Sequence, residues 1–214
     1  MTAYHQYEKK RKEKIFFRLE FSKSVGWGHL KRCISLSKAL SKSFETVFII
    51  SNNEPGALDL IKKSNIKIIK VKSEQKYESE VDHYPLDLKH IIVDLSHVEN
   101  IKRPKEILRY LEVLYHKGIC TVLIDGVGSE AICSYELPPL KAIVQPYFAI
   151  GNQKKPSSEF WIFGKRYVIV EDIYKNSYKD RSKIKVNRLL ITMGGSDSEN
   201  ISEKILSDFI NKDI

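Results

Sequence analysis

Apolar residues along the chain fall into short unbroken runs, separated by longer stretches in which they recur at helical spacing. The runs at 15–21 (IFFRLEF), 46–50 (TVFII), 66–71, 91–95 (IIVDL) and 119–125 (ICTVLID) predict strands, most of them apolar enough to be covered on both faces. Between them, Leu30, Cys33, Ile34 and Ser37 line one face of a helix predicted over 29–42. Glu54-Pro55-Gly56 opens a short helix with Leu58 and Ile61, and Ile107, Leu108, Leu111 and Leu114 mark an amphipathic helix over 105–117. A short strand is expected at 142–145, and the polar stretch 72–89 carries no clear period. Strands alternating with helices at this spacing predict an α/β fold, an open, doubly wound parallel sheet of Rossmann type.

The texture of the chain divides it into four parts. Residues 1–14 form a basic leader, with five basic and two acidic side chains between Glu8 and Lys14. Residues 15–150 hold the predicted Rossmann-like domain, and 151–186 read as a linker leaving its sheet. Residues 187–214 then start afresh, with a strand over 188–193, the turn Gly194-Gly195-Ser196-Asp197 and a helix over 200–211. Asn200 with Glu203 has the spacing of a capping box. One such βα unit cannot bury its own faces, so the expectation is the first unit of an incomplete second domain.

Composition changes this picture little. The chain has 214 residues, 42% hydrophobic and 29% charged, in the ordinary range for a globular protein. No stretch reaches the roughly 18–20 apolar residues that span a bilayer, and the first residues lack a secretory signal pattern. The three cysteines, Cys33, Cys120 and Cys133, lie in apolar patterns without metal-ligand spacing. They predict neither a disulfide framework nor a metal site, and a cytoplasmic location. The net charge of +9 comes without stacking aromatics or a nucleic-acid module, so a solvated lysine-rich surface is expected and nucleic acid is not. A basic protein also suits an anionic small molecule.

The candidate chemistry lies where strands end, because ligands of open parallel sheets bind at the carboxyl ends. After the first strand comes Gly26-Trp27-Gly28-His29-Leu30-Lys31-Arg32. Glycines there let backbone amides approach a ligand, and a helix N-terminus disfavours imidazolium, which suits His29 to general-base work. A tight turn with a capping histidine is the alternative, and Trp27 either stacks on a ligand or covers the turn. Asp94 and Asp125 end two later strands and could orient substrate hydroxyls, although such aspartates also cap the structure that follows. His97 lies on the loop after Asp94. The Gly194–Asn200 turn suits a diphosphate or ribose hydroxyl; it is neither a phosphate-binding Walker loop nor a dinucleotide fingerprint, and no cofactor is expected.

Taken in order, these residues resemble one family. Arg18 in the first strand followed by Gly26-Trp27-Gly28-His29-x-x-Arg32 is similar to the signature of the UDP-sugar hydrolases of pseudaminic acid biosynthesis. Those enzymes release UDP from UDP-2,4-diacetamido-2,4,6-trideoxy-β-L-altropyranose. Gly164-x-x-Tyr167 and Gly194-Gly195-Ser196-Asp197-x-x-Asn200 match later family elements, so the resemblance runs over about residues 15–214. The chain departs from the family at Glu20, at Leu95 and Ser96, and at Glu171, where the family tends to carry Asp, His and Tyr, and a basic residue.

The resemblance implies a two-domain GT-B fold and attack of water on the anomeric carbon, with inversion as UDP departs. His29 is then the general base. Arg18, Gly26, Trp27, Gly28, Arg32, Asp94 and Asp125 fall to the sugar, and Gly194, Gly195, Ser196, Asp197 and Asn200 to the nucleotide. A GT-B glycosyltransferase using an acceptor hydroxyl, and a non-catalytic or partner-dependent half, are the alternatives. The expected partner is the UDP-sugar, with a second chain supplying the C-terminal half, or a homo-oligomer, as further expectations.

Overall fold

The computed structural model describes residues 12–22, 25–72, 76–96, 100, 102–126, 131–146, 158–175, 190–192, 197 and 200–210. Seven strands form one sheet: β1 (Glu13–Leu19), β2 (Phe44–Ile50), β3 (Lys67–Lys70), β4 (His90–Asp94), β5 (Cys120–Ile124), β6 (Leu140–Gln145) and β7 (Ser158–Phe163). Their order is β3-β2-β1-β4-β5-β6-β7, and every pairing is parallel. The helices are α1 (Gly28–Leu40), α2 (Pro55–Lys63), α3 (Tyr77–Glu80), α4 (Pro104–His116), α5 (Asp172–Lys175) and α6 (Ile201–Ile210). This is the α/β, Rossmann-like architecture the periodicity predicts, and the described residues amount to about one domain.

Side-chain alternation divides the core into two layers. Phe17, Leu19, Phe48, Ile50 and Ile92 face Leu30, Cys33 and Ile34 of α1 and Ala57 and Ile61 of α2. Phe16, Val47, Ile49, Ile91 and Val93 face the other way, toward Tyr77, Val81 and the α4 residues Ile107, Tyr110, Leu111 and Leu114. Full burial of one such Leu, Ile or Phe contributes roughly 1.5–3 kcal/mol, so both layers are needed to hold the sheet.

Helix ends follow from local chemistry. Pro55 and Pro104 open α2 and α4, where a missing amide costs nothing. Gly118 (φ 69°) closes α4 in the left-handed region, its amide reaching Tyr115 O at 2.9 Å while the Ile119 amide reaches Leu114 O at 3.0 Å. That is a Schellman ending. Asn65 (φ 54°) closes α2 in the same way, with its amide 2.9 Å from Lys62 O.

Three expectations change. The first strand runs Glu13–Leu19 rather than 15–21, so the end of the supposed leader is already in the sheet. The 151–186 stretch is more than a linker: Ser158–Phe163 pairs in parallel with β6 from Leu140↔Ser158 to Gln145↔Phe163 and becomes the sheet edge. The Trp161 indole N–H donates to Gln145 Oε1 at 2.8 Å, which ties the added strand to its neighbour. Of the strand expected at 188–193, residues 190–192 take no strand conformation and the rest lie outside the described residues.

Among the described residues no helix is long and apolar enough to cross a membrane. The chain proceeds outward from β1 through β2 to β3 and then returns to place β4 against the other side of β1. The strand order therefore reverses between β1 and β4, the switch point beside which ligands of such sheets bind, at the carboxyl ends.

Candidate active site at the switch point

Two strands supply the site. β1 ends at Leu19, which pairs with Asp94 at the end of β4. Beyond β1 the chain folds back in a tight turn: the Gly26 amide donates to Ser22 O at 2.7 Å and the Val25 amide to Ser22 Oγ at 3.0 Å. Gly26 sits at φ 78°, where a side chain is strained, so this glycine is required by the backbone. Trp27 holds the N-cap position of α1 without a side-chain cap, and its carbonyl accepts the first helical bond from the Lys31 amide at 2.9 Å. His29 is thus in the first turn of α1 and Arg32 three residues on, on the same face.

Both side chains turn toward Asp94. His29 Nδ1 lies 2.6 Å from Asp94 Oδ1. Arg32 Nε donates to Oδ2 at 2.9 Å and Arg32 Nη2 to Oδ1 at 2.7 Å, a two-pronged grip on the same carboxylate. The Cys33 thiol adds a long contact to Oδ2 at 3.4 Å. Asp94 is fully buried, while the His29 and Arg32 side chains keep 13% and 16% exposure and so reach the surface at this end of the sheet.

The electrostatics decide where the proton sits. Burial by itself pushes the Asp94 carboxyl up, but the hydrogen bond from His29 and the charge of Arg32 outweigh it and hold the group at about 2. Asp94 is therefore ionised at neutral pH, and a 2.6 Å contact to Nδ1 needs the proton on the ring nitrogen. Arg32 Nη2 also stands 3.1 Å from Nδ1, and in the imidazole tautomer that keeps the proton on Nδ1 toward Asp94 the lone pair lies on Nε2. A carboxylate that fixes the tautomer and stands ready to stabilise imidazolium is the arrangement general-base catalysis requires. Burial and then the neighbouring Asp94 charge push the Cys33 thiol well up, so it is no nucleophile here.

The other residues expected at the sugar are distributed differently. Arg18 is wholly buried on the opposite face of β1. Its Nε and Nη2 each donate to the Glu80 carboxylate at 2.8 Å, Nη1 donates to Leu19 O at 2.8 Å, and the guanidinium lies 5.1 Å from the Tyr77 ring centre. Burial opposes its charge, but Glu80 outweighs burial and the guanidinium stays protonated. Arg18 also reaches toward the rim through Nη2, 3.2 Å from Glu20 Oε1, while its guanidinium is buried.

Asp125 is likewise fully buried. It accepts the Ser96 hydroxyl at 2.6 Å and the Gly126, Ile132 and Cys133 amides at 2.8, 3.1 and 2.7 Å. Accepting these amides is the capping role the sequence also allowed for it. Asp197 caps α6 through the Ile201 and Ser202 amides at 2.8 and 2.9 Å. The cap expected of Asn200 thus comes from Asp197, and Asn200 takes a left-handed φ of 52°. Gly194, Gly195, Ser196 and His97 lie outside the described residues. Gly28 opens α1 with nothing within 4 Å of where a Cβ would stand.

Sequence reasoning missed Glu80 and Asn100. Glu80 falls in the unplaced 72–89 stretch, whose only signal is the spacing of Tyr77, Val81 and Tyr84 around it. Tyr84 Oη donates to Glu80 Oε2 at 3.2 Å, and Asn100 Nδ2 donates to Tyr77 Oη at 2.9 Å and to Leu95 O at 3.0 Å. A cleft of about 640 Å³ opens at the other end of the sheet, beside Tyr115, Cys120, Leu140, Lys141, Ser158 and Glu159. It lies at the amino ends of β5, β6 and β7, away from His29. Among the described residues no group of three or more His, Cys, Asp or Glu could hold a metal ion.

The sequence is 27% identical over 203 residues to the UDP-2,4-diacetamido-2,4,6-trideoxy-β-L-altropyranose hydrolase of Campylobacter jejuni, covering 91% of this chain and 65% of that enzyme. The chain is distantly similar to a UDP-sugar hydrolase. It is also 25% identical over 206 residues to an uncharacterized protein of Methanocaldococcus jannaschii, covering 94% of this chain and 40% of that protein. The chain spans less than two thirds of the length of either relative. No family model and no solved structure matches it.

Proposed function

We propose that this chain carries the general-base half of a UDP-sugar hydrolase acting on a diacetamido-trideoxy sugar of the pseudaminic acid type. The observation that supports it most is the 2.6 Å contact of His29 Nδ1 with the buried Asp94 carboxylate at the β1/β4 switch point. In this reading His29 Nε2 takes a proton from water, the water oxygen bonds to the anomeric carbon, and the bond from that carbon to the diphosphate oxygen breaks. UDP leaves with the electron pair and configuration inverts. Asp94 stabilises the imidazolium that forms, and Arg32 keeps Asp94 ionised. Arg18 acts as a positioning residue through Glu20, and the nucleotide falls to Gly194, Gly195, Ser196, Asp197 and Asn200, as the family resemblance implies.

A second reading, in which the chain binds the nucleotide sugar but needs a partner to turn it over, is separated from the first by experiment. The test is UDP release from UDP-2,4-diacetamido-2,4,6-trideoxy-β-L-altropyranose by wild type and His29→Ala. Loss of about 100-fold or more is expected for the variant. Equal release by both proteins refutes the base role. No release from wild type, with the nucleotide sugar still bound in calorimetry, supports the partner-dependent reading.

A further inference from the structure

Gly56 is the second residue of α2 and its φ is not in the left-handed region, so nothing in its backbone asks for glycine. Glycine is the least favourable residue after proline inside a helix. The reason for it stands opposite. A Cβ at position 56 would lie 2.8 Å from Trp27 Cη2, 3.4 Å from Cζ2 and 4.0 Å from Cζ3. The outer ring of the indole rests directly on the start of α2, and its body packs on the layer that holds Leu30, Ala57 and Ile61.

Trp27 is also where α1 begins, two residues before His29. The turn ahead of it carries the Ser22–Gly26 bridge and the bond from the Val25 amide to Ser22 Oγ, and Trp27 itself offers no side-chain cap to α1. Leu30, Cys33 and Ile34 hold the body of α1 on the sheet, and the seat of the indole on α2 adds a contact at the residue where its first turn begins. His29 Nδ1 meets Asp94 at 2.6 Å, a distance with no slack.

We infer that Gly56 and Trp27 form a positioning pair: the bare backbone at 56 seats the indole, and the seated indole aims His29 at Asp94. Neither residue touches the reacting atoms in this scheme. Trp27, which the sequence allowed to stack on a ligand, instead joins the starts of α1 and α2. The consequence for activity rests on His29 being the base proposed above; the consequence for its ring geometry does not.

Wild type, Gly56→Ala, Trp27→Phe and the double variant test this by UDP release and by the side-chain ¹⁵N resonances of His29, which report the ring tautomer. The added methyl in Gly56→Ala displaces the indole, and kcat is expected to fall by about 10- to 100-fold, the effect of shifting a catalytic group by roughly 1 Å. KM changes little, because no binding contact is lost. Phenylalanine withdraws the outer ring atoms, so the double variant returns to within about threefold of Trp27→Phe alone. The His29 resonances move in Gly56→Ala and move back in the double variant. Unchanged kcat with unchanged resonances in Gly56→Ala overturns the inference, as does a double variant no better than Gly56→Ala. If wild type releases no UDP, unaided hydrolysis by this chain fails separately and the resonances alone decide the positioning pair.

Discussion

Replacing Asp94 with asparagine removes one proton-equivalent of charge from a fully buried position while keeping the shape. In the folded chain the carboxyl is held at about 2 against an ordinary 3.8, by the His29 hydrogen bond and the Arg32 charge working against burial. A folded value below the unfolded one means stability that is fully present above the unfolded value and lost as pH falls through the folded one. The difference corresponds to about 2 kcal/mol at pH 7 and about 1 kcal/mol at pH 3, vanishing below both values. Asp94→Asn mimics the protonated acid and lacks this contribution at every pH. Urea unfolding of both proteins from pH 7 to pH 2.5 reads it as a gap between two stability curves, to which the other carboxylates contribute equally and cancel. The gap is expected to start near about 2 kcal/mol and to shrink by about half at pH 3. A gap that stays constant across this range, or one under about 0.5 kcal/mol at pH 7, would refute the ionised, paired state of Asp94 and with it the tautomer assigned to His29.

Two further outcomes follow from the buried groups. Arg18→Met leaves the Glu80 carboxylate, 1% exposed, without its bidentate partner and is expected to cost on the order of 3–5 kcal/mol in urea unfolding, most of it recovered by adding Glu80→Leu; a loss under about 1 kcal/mol would contradict the pairing. Burial and then the Asp125 charge push the Cys133 thiol up to about 12, leaving about one part in 10,000 as thiolate at pH 8. Alkylation of Cys133 in the folded chain, followed by mass spectrometry, should accordingly be far slower than in urea, and equal rates would contradict its environment.

Much of the fold was legible because the signals are short-range. The apolar runs at 46–50, 91–95 and 119–125 are long enough to fill a strand and apolar enough to need covering on both faces, and β2, β4 and β5 form on them. The spacing of Ile107, Leu111 and Leu114 is that of the α4 face buried in the core. The edge was harder. WIF at 161–163 borders Gly164 and follows a lysine-proline-serine stretch, so its composition reads as a link, and only pairing with β6 makes it a strand. The site divided in the same way. His29 and Asp94 stood out because each ends a predicted strand or opens a predicted helix, whereas Glu80 lies in a stretch with no period.

The sequence by itself determined the parallel α/β class, the need for glycine in the turn after β1, and the presence of a histidine at the first turn of α1. These depend on periodicity and on backbone requirements spanning a few residues. Only the tertiary structure decided which strand-end acid does what. Asp94 meets His29 across 65 residues and Arg32 across 62, because the chain returns from β3 to place β4 beside β1. Asp125, alike in sequence, accepts amides of the loop that follows it. Arg18 turns inward because strand alternation puts it on the face that Glu80 covers. Which face a polar side chain occupies, and what stands opposite, is settled by strand order, and strand order is a property of the assembled sheet.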